Sequence, residues 1–398
     1  MTESAKSHPL TNILILGTLL GGTALFITMP YLAIHITSSL GASPSTAGLV
    51  IGIGPLFGMF AALLMGYLSD RFGRRAIMEF SLLFLSLSFL GFLFSKKIWH
   101  FVFFNTIYGM SRAAFDSVAT ALLTDITPQH LRKKVFHLRY FMINLAASIA
   151  PLIGAWILIK HPTWGFTITS AVYFMYFIVL HFSMDKWKIP KAAYDRASLT
   201  IKGTLQILKN DRPLLLYLIG NFLMLLGFSQ LESNLPLYLK QMFDMDGIKL
   251  YSYLIMTNGL TIVILQYAIN SWTQHMNQIR VICLGFLVFG CGVISFGFFE
   301  QMPMMFILSM IIFSIGEILV FSNANLLIDQ ISPANLKGSY FGILEIGRMG
   351  YVFGPYLGGL IIQYASGPTM FVSLGLLSFI SIFFYKYGDT IYQKKKAA

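Results

Sequence analysis

The chain is patterned as long apolar runs separated by short polar intervals. Twelve runs of mostly apolar residues occur, at about 10–35, 44–68, 75–95, 98–124, 136–159, 164–183, 213–239, 249–270, 280–299, 303–327, 338–363 and 368–387. Each is long enough to cross a hydrocarbon core, which takes roughly 20 residues at about 1.5 Å of helical rise each. Strands of a barrel would alternate polar and apolar side chains, and stretches such as ILILGTLLGGTALFITM and LLLYLIGNFLMLLGF do not. The pattern therefore predicts an all-α integral membrane protein with 12 transmembrane helices. The first run is too long for the apolar region of a cleaved leader, so it is expected to be the first span.

One polar interval is longer than the rest. DKWKIPKAAYDRASLTIKGTLQILKNDR, from Asp185 to Arg212, parts six runs from six. This predicts an N-terminal six-helix bundle over 1–184, a cytoplasmic linker over 185–212 and a C-terminal six-helix bundle over 213–398. An internal repeat supports two pseudo-symmetric halves. LLTDITPQHLRKKVF leads into a run containing APLIGAW, and LLIDQISPANLKGSYF leads into one containing GPYLGGL, so the fifth span matches the eleventh.

Within that match the small residues recur at helical spacing. Gly350, Gly354, Pro355, Gly358 and Gly359 in the eleventh span correspond to Ala146, Ala150, Pro151 and Gly154 in the fifth. Small residues four apart let another helix backbone approach, and proline removes a helix hydrogen bond and permits a bend. These positions are expected to form helix packing and hinge surfaces.

Composition sharpens the class. Of 398 residues, 56% are hydrophobic and 11% charged, against nearer a quarter charged in soluble domains. The net charge of +12 has a topological pattern. Arg71, Arg74, Arg75, Arg132, Lys133, Lys134, the linker cations and Lys394 to Lys396 fall on one side, and only Lys96, Lys97, Lys160, Lys240 and Lys249 on the other. The positive-inside bias then places both termini in the cytoplasm, with the chain in the inner (plasma) membrane. The basic charge thus reports topology, and the lipid bilayer rather than nucleic acid is the expected partner. Cys283 and Cys291 lie eight positions apart on one helix, about 12 Å along its axis, too far to pair. No Walker loop, HExxH or cysteine–histidine metal spacing occurs, so no catalytic residue, metal or cofactor is expected.

Charge inside a span is costly and marks candidate function. Arg112 and Asp116 in the fourth span, and Glu345 and Arg348 in the eleventh, are spaced to meet on one helix face. Arg139 lies in the fifth span, Glu232 toward the outer end of the seventh and Glu317 in the tenth. Glu317 has no charged neighbour on its own helix, and an isolated carboxyl in hydrocarbon favours its neutral form, as an exchangeable proton requires. Glu317, Asp116, Glu345 and Glu232 are therefore candidates for proton coupling. Arg112, Arg139 and Arg348, with Tyr31, Asn144, Asn221, Gln230 and Asn258, are candidates for lining a substrate cavity. The 36 Phe, 19 Tyr and 20 Met permit a polyspecific apolar pocket.

The loop after the second span, GYLSDRFGRR, fits the G-x-L-x-D-R-x-G-R-R signature through Gly66, Asp70, Arg71, Gly73, Arg74 and Arg75. On these residues the chain resembles the major facilitator superfamily over essentially its whole length. IGEILVFSNANLLID and QLESNLPLYL make it most similar to the 12-spanner drug:proton antiporters, including the lactococcal type of multidrug exporter. It departs from them where the fifth-span glycines become alanine, and where Arg139 stands at the place of an acid.

The resemblance implies a proton-coupled secondary active transporter, driven by the proton gradient without a cofactor, that works as a monomer. It would export amphipathic small organic molecules by alternating access. The signature loop would form a cytoplasmic gate with Asp125, its Gly66 facing the Gly350/Gly354 surface and Asp70 facing a helix that starts near Gly338. Three intramembrane arginines leave open transport of an anionic metabolite or a carboxylate-rich, siderophore-like metal chelator in either direction. A non-transporting membrane receptor on the same fold is a further alternative.

Overall fold

The computed structural model describes residues 8–187, 211–299, 302–332, 340 and 347–397. Among them the chain is helical with no strand. The order is α1 (Pro9–Thr28), a 3-10 turn (Met29–Tyr31), α2 (Leu32–Leu40), α3 (Pro44–Phe72), α4 (Arg74–Phe94), α5 (Ile98–Ile126), α6 (Gln129–Lys160) and α7 (Trp164–Lys186). Then come α8 (Arg212–Phe228), a second 3-10 turn (Ser229–Leu231), α9 (Asn234–Thr273), α10 (Gln278–Ser295), α11 (Pro303–Ile331), α12 (Met349–Tyr364) and α13 (Gly367–Ala397). Within α9 the backbone breaks at Asp244, with φ 49° and ψ −126°.

Nine stretches among the described residues are long and apolar enough to cross a membrane. The expected seventh and eighth spans share one of them, Arg212–Thr273, of 62 residues. Two expected spans are not among the nine: α5, which carries His100, Asn105, Arg112, Asp116 and Asp125, and α12, which is 16 residues long.

The chain divides into two compact units, Met1–Ala42 with Ile53–Ala197, and Ser43–Gly52 with Ser198–Ala398. The first turns of α3 thus group with the second unit and the rest of α3 with the first. Each unit repeats one internal plan. In the first, α1 packs on α6 and α7, and α4 on α5 and α7; in the second, α8 packs on α12 and α13, and α10 on α11 and α13.

The first helix of each unit is interrupted at the same place. Pro30 cannot donate to the carbonyl four residues back, so α1 gives way to the 3-10 turn there. In the second unit, Pro236 in the first turn of α9 follows the turn Ser229–Leu231. Carbonyls near each break accept side-chain donors, which they need in an apolar setting. Tyr173 donates to the carbonyl of Gly21 at 3.1 Å and Thr169 to that of Ala24 at 2.8 Å. In the second unit, Gln230 donates to the carbonyl of Leu226 at 2.7 Å and Ser233 to that of Ser229 at 2.7 Å.

Each interrupted helix also holds its proline-containing neighbour. The Tyr31 hydroxyl donates to the carbonyl of Pro151 on α6 at 2.6 Å, and the Asn234 amide to that of Pro355 on α12 at 3.0 Å. Gln230 adds a bond to the carbonyl of Gly354 at 2.9 Å. The small-residue positions make these bonds possible. A Cβ on Gly154 would collide with the carbonyl of Ile27, one on Gly354 with the Ser229 hydroxyl, and one on Gly358 with the Gln230 amide. Where α6 carries alanine, the glycine sits on α1 instead: a Cβ on Gly22 would come to 3.2 Å from that of Ala146.

The face of α12 holding Gly350 and Gly354 is therefore occupied by α8, through Phe222, Leu225 and Leu226, and by Ser229 of the 3-10 turn that follows it. Gly66, expected from the sequence to approach this face, lies outside the described residues. Gly359 meets the backbone of Pro44, and Ser45 donates to Gln363 at 2.6 Å.

Gly354→Val should force α12 away from α8 at a cost of about 1–3 kcal/mol. A thermal melt of the detergent-solubilised chain should show an earlier transition, whereas the conservative Val352→Ile should melt close to the parent.

Candidate functional site

Two arginines of the first unit, Arg112 and Arg139, converge on Asp116. Arg112 Nε lies 2.7 Å from Asp116 Oδ2, one turn away on α5. Arg139 reaches in from α6, its Nη2 3.5 Å from the other carboxylate oxygen, and it also donates to Thr120. Arg112 Nη1 further contacts the Tyr173 hydroxyl at 3.4 Å, which itself donates to Gly21. Two guanidinium groups thus share one carboxylate, and the cluster carries an excess positive charge. Beside it the Tyr176 hydroxyl and Arg139 Nε are buried without a hydrogen-bond partner among the described residues. The patch is rich in donors and poor in acceptors.

The second unit places an acid where the first places a base. Arg112 and Glu317 are each the fifteenth residue of a 29-residue helix, α5 and α11 respectively, and these helices correspond in the repeated plan. Glu317 is half-buried. Its Oε2 accepts from the Asn258 amide on α9 at 2.8 Å, and the same nitrogen contacts the Ser314 hydroxyl at 2.9 Å. Among the described residues Glu317 makes no ion pair within 4.0 Å. Glu232, exposed at the end of the 3-10 turn, and Arg348, at the head of α12, lie within electrostatic reach of Tyr351, as Glu317 does. Glu345 lies outside the described residues, so its pairing with Arg348 does too.

The uncharged candidates divide between the seams and the helix faces. Tyr31 and Gln230 are buried at 3% and 1% exposure, and their hydrogen bonds hold the proline helices. Asn144 donates to the carbonyl of Tyr140 on its own helix at 2.8 Å. Asn221, half-buried on α8, lies against Gly347, where a Cβ would come to 2.9 Å from its amide nitrogen.

Two arginines of the signature loop tie helix ends together within the first unit. Arg74 Nη2 lies 2.8 Å from Asp125 Oδ2, with 7% and 19% of the side chains exposed, joining α4 to the end of α5. Arg75 bonds Glu79 at 2.6 Å and also Asp185 on α7. His181 Nδ1 stands 3.2 Å from Glu79. Gly73 has φ 88°, a left-handed conformation that favours glycine and turns the chain directly into α4. The side chains of Asp70 and Arg71, Gly66 and the region around Gly338 lie outside the described residues.

The description Major Facilitator Superfamily matches the chain over residues 14–349. The chain belongs to this superfamily. An uncharacterized MFS-type transporter of Bacillus subtilis, YqjV, is 31% identical over 367 residues, covering 92% of this chain and 89% of its own. A Na(+), Li(+), K(+)/H(+) antiporter of Planococcus maritimus is 25% identical, covering 96% of each. The multidrug resistance protein MdtH of Yersinia enterocolitica is 23% identical, covering 90% and 87%. In fold the chain matches the crystal structure of the POT family transporter PepTSo with a TM-score of 0.80 at 13% identity, over 98% and 99% of the two chains.

The protein is thus a multi-pass membrane transporter of the superfamily, and not an enzyme. Glu79, His181 and Asp185 are the charged residues that the sequence reading passed over. Arg75 and Glu79 are four apart, as are His181 and Asp185, and that spacing was the available signal.

Removing Arg74 takes a largely buried ion pair from Asp125, at a cost on the order of 3–5 kcal/mol. Arg74→Ala should accordingly melt well below the parent, and the double variant Arg74→Ala/Asp125→Ala should recover much of the loss. A double-variant loss equal to the sum of the two single-variant losses would show the pair to be uncoupled.

Proposed function

We propose that this superfamily member is a proton-coupled secondary active transporter that exports amphipathic small organic molecules by alternating access. The observation that carries the reading is the setting of Glu317: half-buried, mid-helix, and held by an amide instead of a cation among the described residues. A carboxyl held this way can gain and lose a proton without dismantling an ion pair. Asp116, bound by two arginines, is a weaker proton carrier, because it would have to give up these ion pairs to exchange a proton. Its role is to exchange arginine partners as the transport cycle proceeds.

The relatives support the two parts of the reading separately. The Planococcus protein is an antiporter that exchanges alkali cations for protons, and MdtH is a multidrug resistance protein. The chain's place is the inner membrane, with both termini in the cytoplasm and a monomer as the working unit. Energy comes from the proton gradient without a cofactor. Within the signature loop, Asp70 serves the cytoplasmic gate.

A second reading has its own observation. The excess positive charge around Asp116, with unpartnered donors on Arg139 and Tyr176, suits a substrate bearing carboxylates, such as an anionic metabolite or a metal chelator. Arginine recognises carboxylates through paired donors.

Proteoliposomes with an imposed pH gradient decide between them. Glu317→Gln should abolish proton-driven flux of a lipophilic cation such as ethidium while substrate exchange without a gradient persists. Intact proton-driven flux in that variant removes Glu317 from the coupling role. Arg139→Gln should leave cation export in place under the first reading. Under the second it should cut uptake or release of a tricarboxylate such as citrate at least tenfold.

A further inference from the structure

On sequence, Asn258 is one more polar side chain available to a substrate. Its hydrogen bonds give it another task. Ser314 lies one turn before Glu317 on α11, is fully buried, and donates its only hydroxyl hydrogen to the carbonyl of Met310 at 2.7 Å. Ser314 can therefore meet the Asn258 side chain only as an acceptor. That fixes the amide with its nitrogen toward α11, one hydrogen on Ser314 at 2.9 Å and the other on Glu317 Oε2 at 2.8 Å.

Two consequences follow from this chain of donors. Oε2 faces a donor in both charge states, which favours Oε1 as the oxygen that carries the proton. Proton uptake then adds one hydrogen at Oε1 and release removes it, with no other bond made or broken. The bond across the seam also changes strength with charge. A hydrogen bond to a carboxylate is roughly twice as strong as one to a neutral acceptor.

We infer that Asn258, pinned by Ser314, is the positioning residue through which the protonation of Glu317 reaches the packing of α9 on α11. The seam is tight when Glu317 is ionised and loosened when it is protonated. The inference rests on the reading of Glu317 as the proton-exchanging group. Among the described residues, Glu232 at the end of the 3-10 turn and Tyr351 on α12, with Arg348 at the head of α12 beside Tyr351, are the charged or titratable groups linked electrostatically to this site. None of them is altered by substitution at Asn258, which therefore isolates the amide.

The test uses the full-length chain in lipid nanodiscs, with spin labels on cysteines introduced at the exposed positions Leu260 on α9 and Leu308 on α11 and with Cys283 and Cys291 replaced. Distance distributions by pulsed electron resonance are recorded across a pH series. The ratio of loosened to tight populations should rise about tenfold from alkaline to acid pH in the parent. That response should shrink below about twofold in Asn258→Leu, return in part in Asn258→Gln, and be reduced in Ser314→Ala.

The infrared band of the protonated Glu317 carboxyl, identified by its loss in Glu317→Gln, should also shift in Asn258→Leu. A general packing defect would not move it. A full tenfold response in Asn258→Leu, or an absent response in the parent, overturns the inference; if Asn258→Leu does not fold, an unchanged response in Ser314→Ala does so. Failure of the underlying reading looks different, because then Glu317→Gln retains proton-driven flux in liposomes.

Discussion

A helix interrupted inside hydrocarbon must find partners for its backbone within the protein, since no water is there to supply them. Both units meet this constraint with the same contact. The first helix of each unit breaks, side chains satisfy the carbonyls beside the break, and a donor from the break bonds a carbonyl of the proline helix alongside. Tyr31 reaches Pro151, and Asn234 reaches Pro355. The contact needs backbones close together, so the facing positions are small. That requirement accounts for Ala146, Ala150 and Gly154 on α6 and for Gly350, Gly354 and Gly358 on α12. With this seam closed, the outer helices of each unit pack around it by one repeated plan.

On that shared scaffold the chemistry diverges. The same helical position carries Arg112 in one unit and Glu317 in the other. Around Arg112 the neighbours are charged, so two cations and one anion hold each other in place. Glu317 accepts from an amide, which donates its other hydrogen to a hydroxyl. A repeated fold therefore offers two electrostatic settings at one geometric site, one built from ion pairs and one from a hydrogen bond to an amide. Burial makes the distinction matter, because an ion pair and a lone carboxyl respond very differently to loss of solvent.

Much of the architecture was legible because it follows from one solvent property. Apolar run length and the matched proline segments rest on what hydrocarbon tolerates, and both are local in sequence. The pairing of Arg112 with Asp116 was legible for the same reason, being a matter of helical spacing. The arrival of Arg139 at the same carboxylate was not, since it comes from another helix. Nor was the bond from Asn258 to Glu317, which joins residues 59 apart, nor the staple of Arg75 to Asp185, 110 apart. The packing of α8 on the Gly350/Gly354 face was not legible either. Glycine spacing states that a backbone approaches without stating which one.

By itself, then, the sequence determined the class of protein, the repeat, and which positions carry charge or small side chains in the membrane. These are properties of single segments against a uniform solvent. The tertiary structure decided which of those residues meet: that α8 fills the glycine face, that two arginines divide Asp116, and that an amide holds Glu317. Such choices depend on how helices pack against one another, and spacing along the chain does not encode which partner lies across a seam.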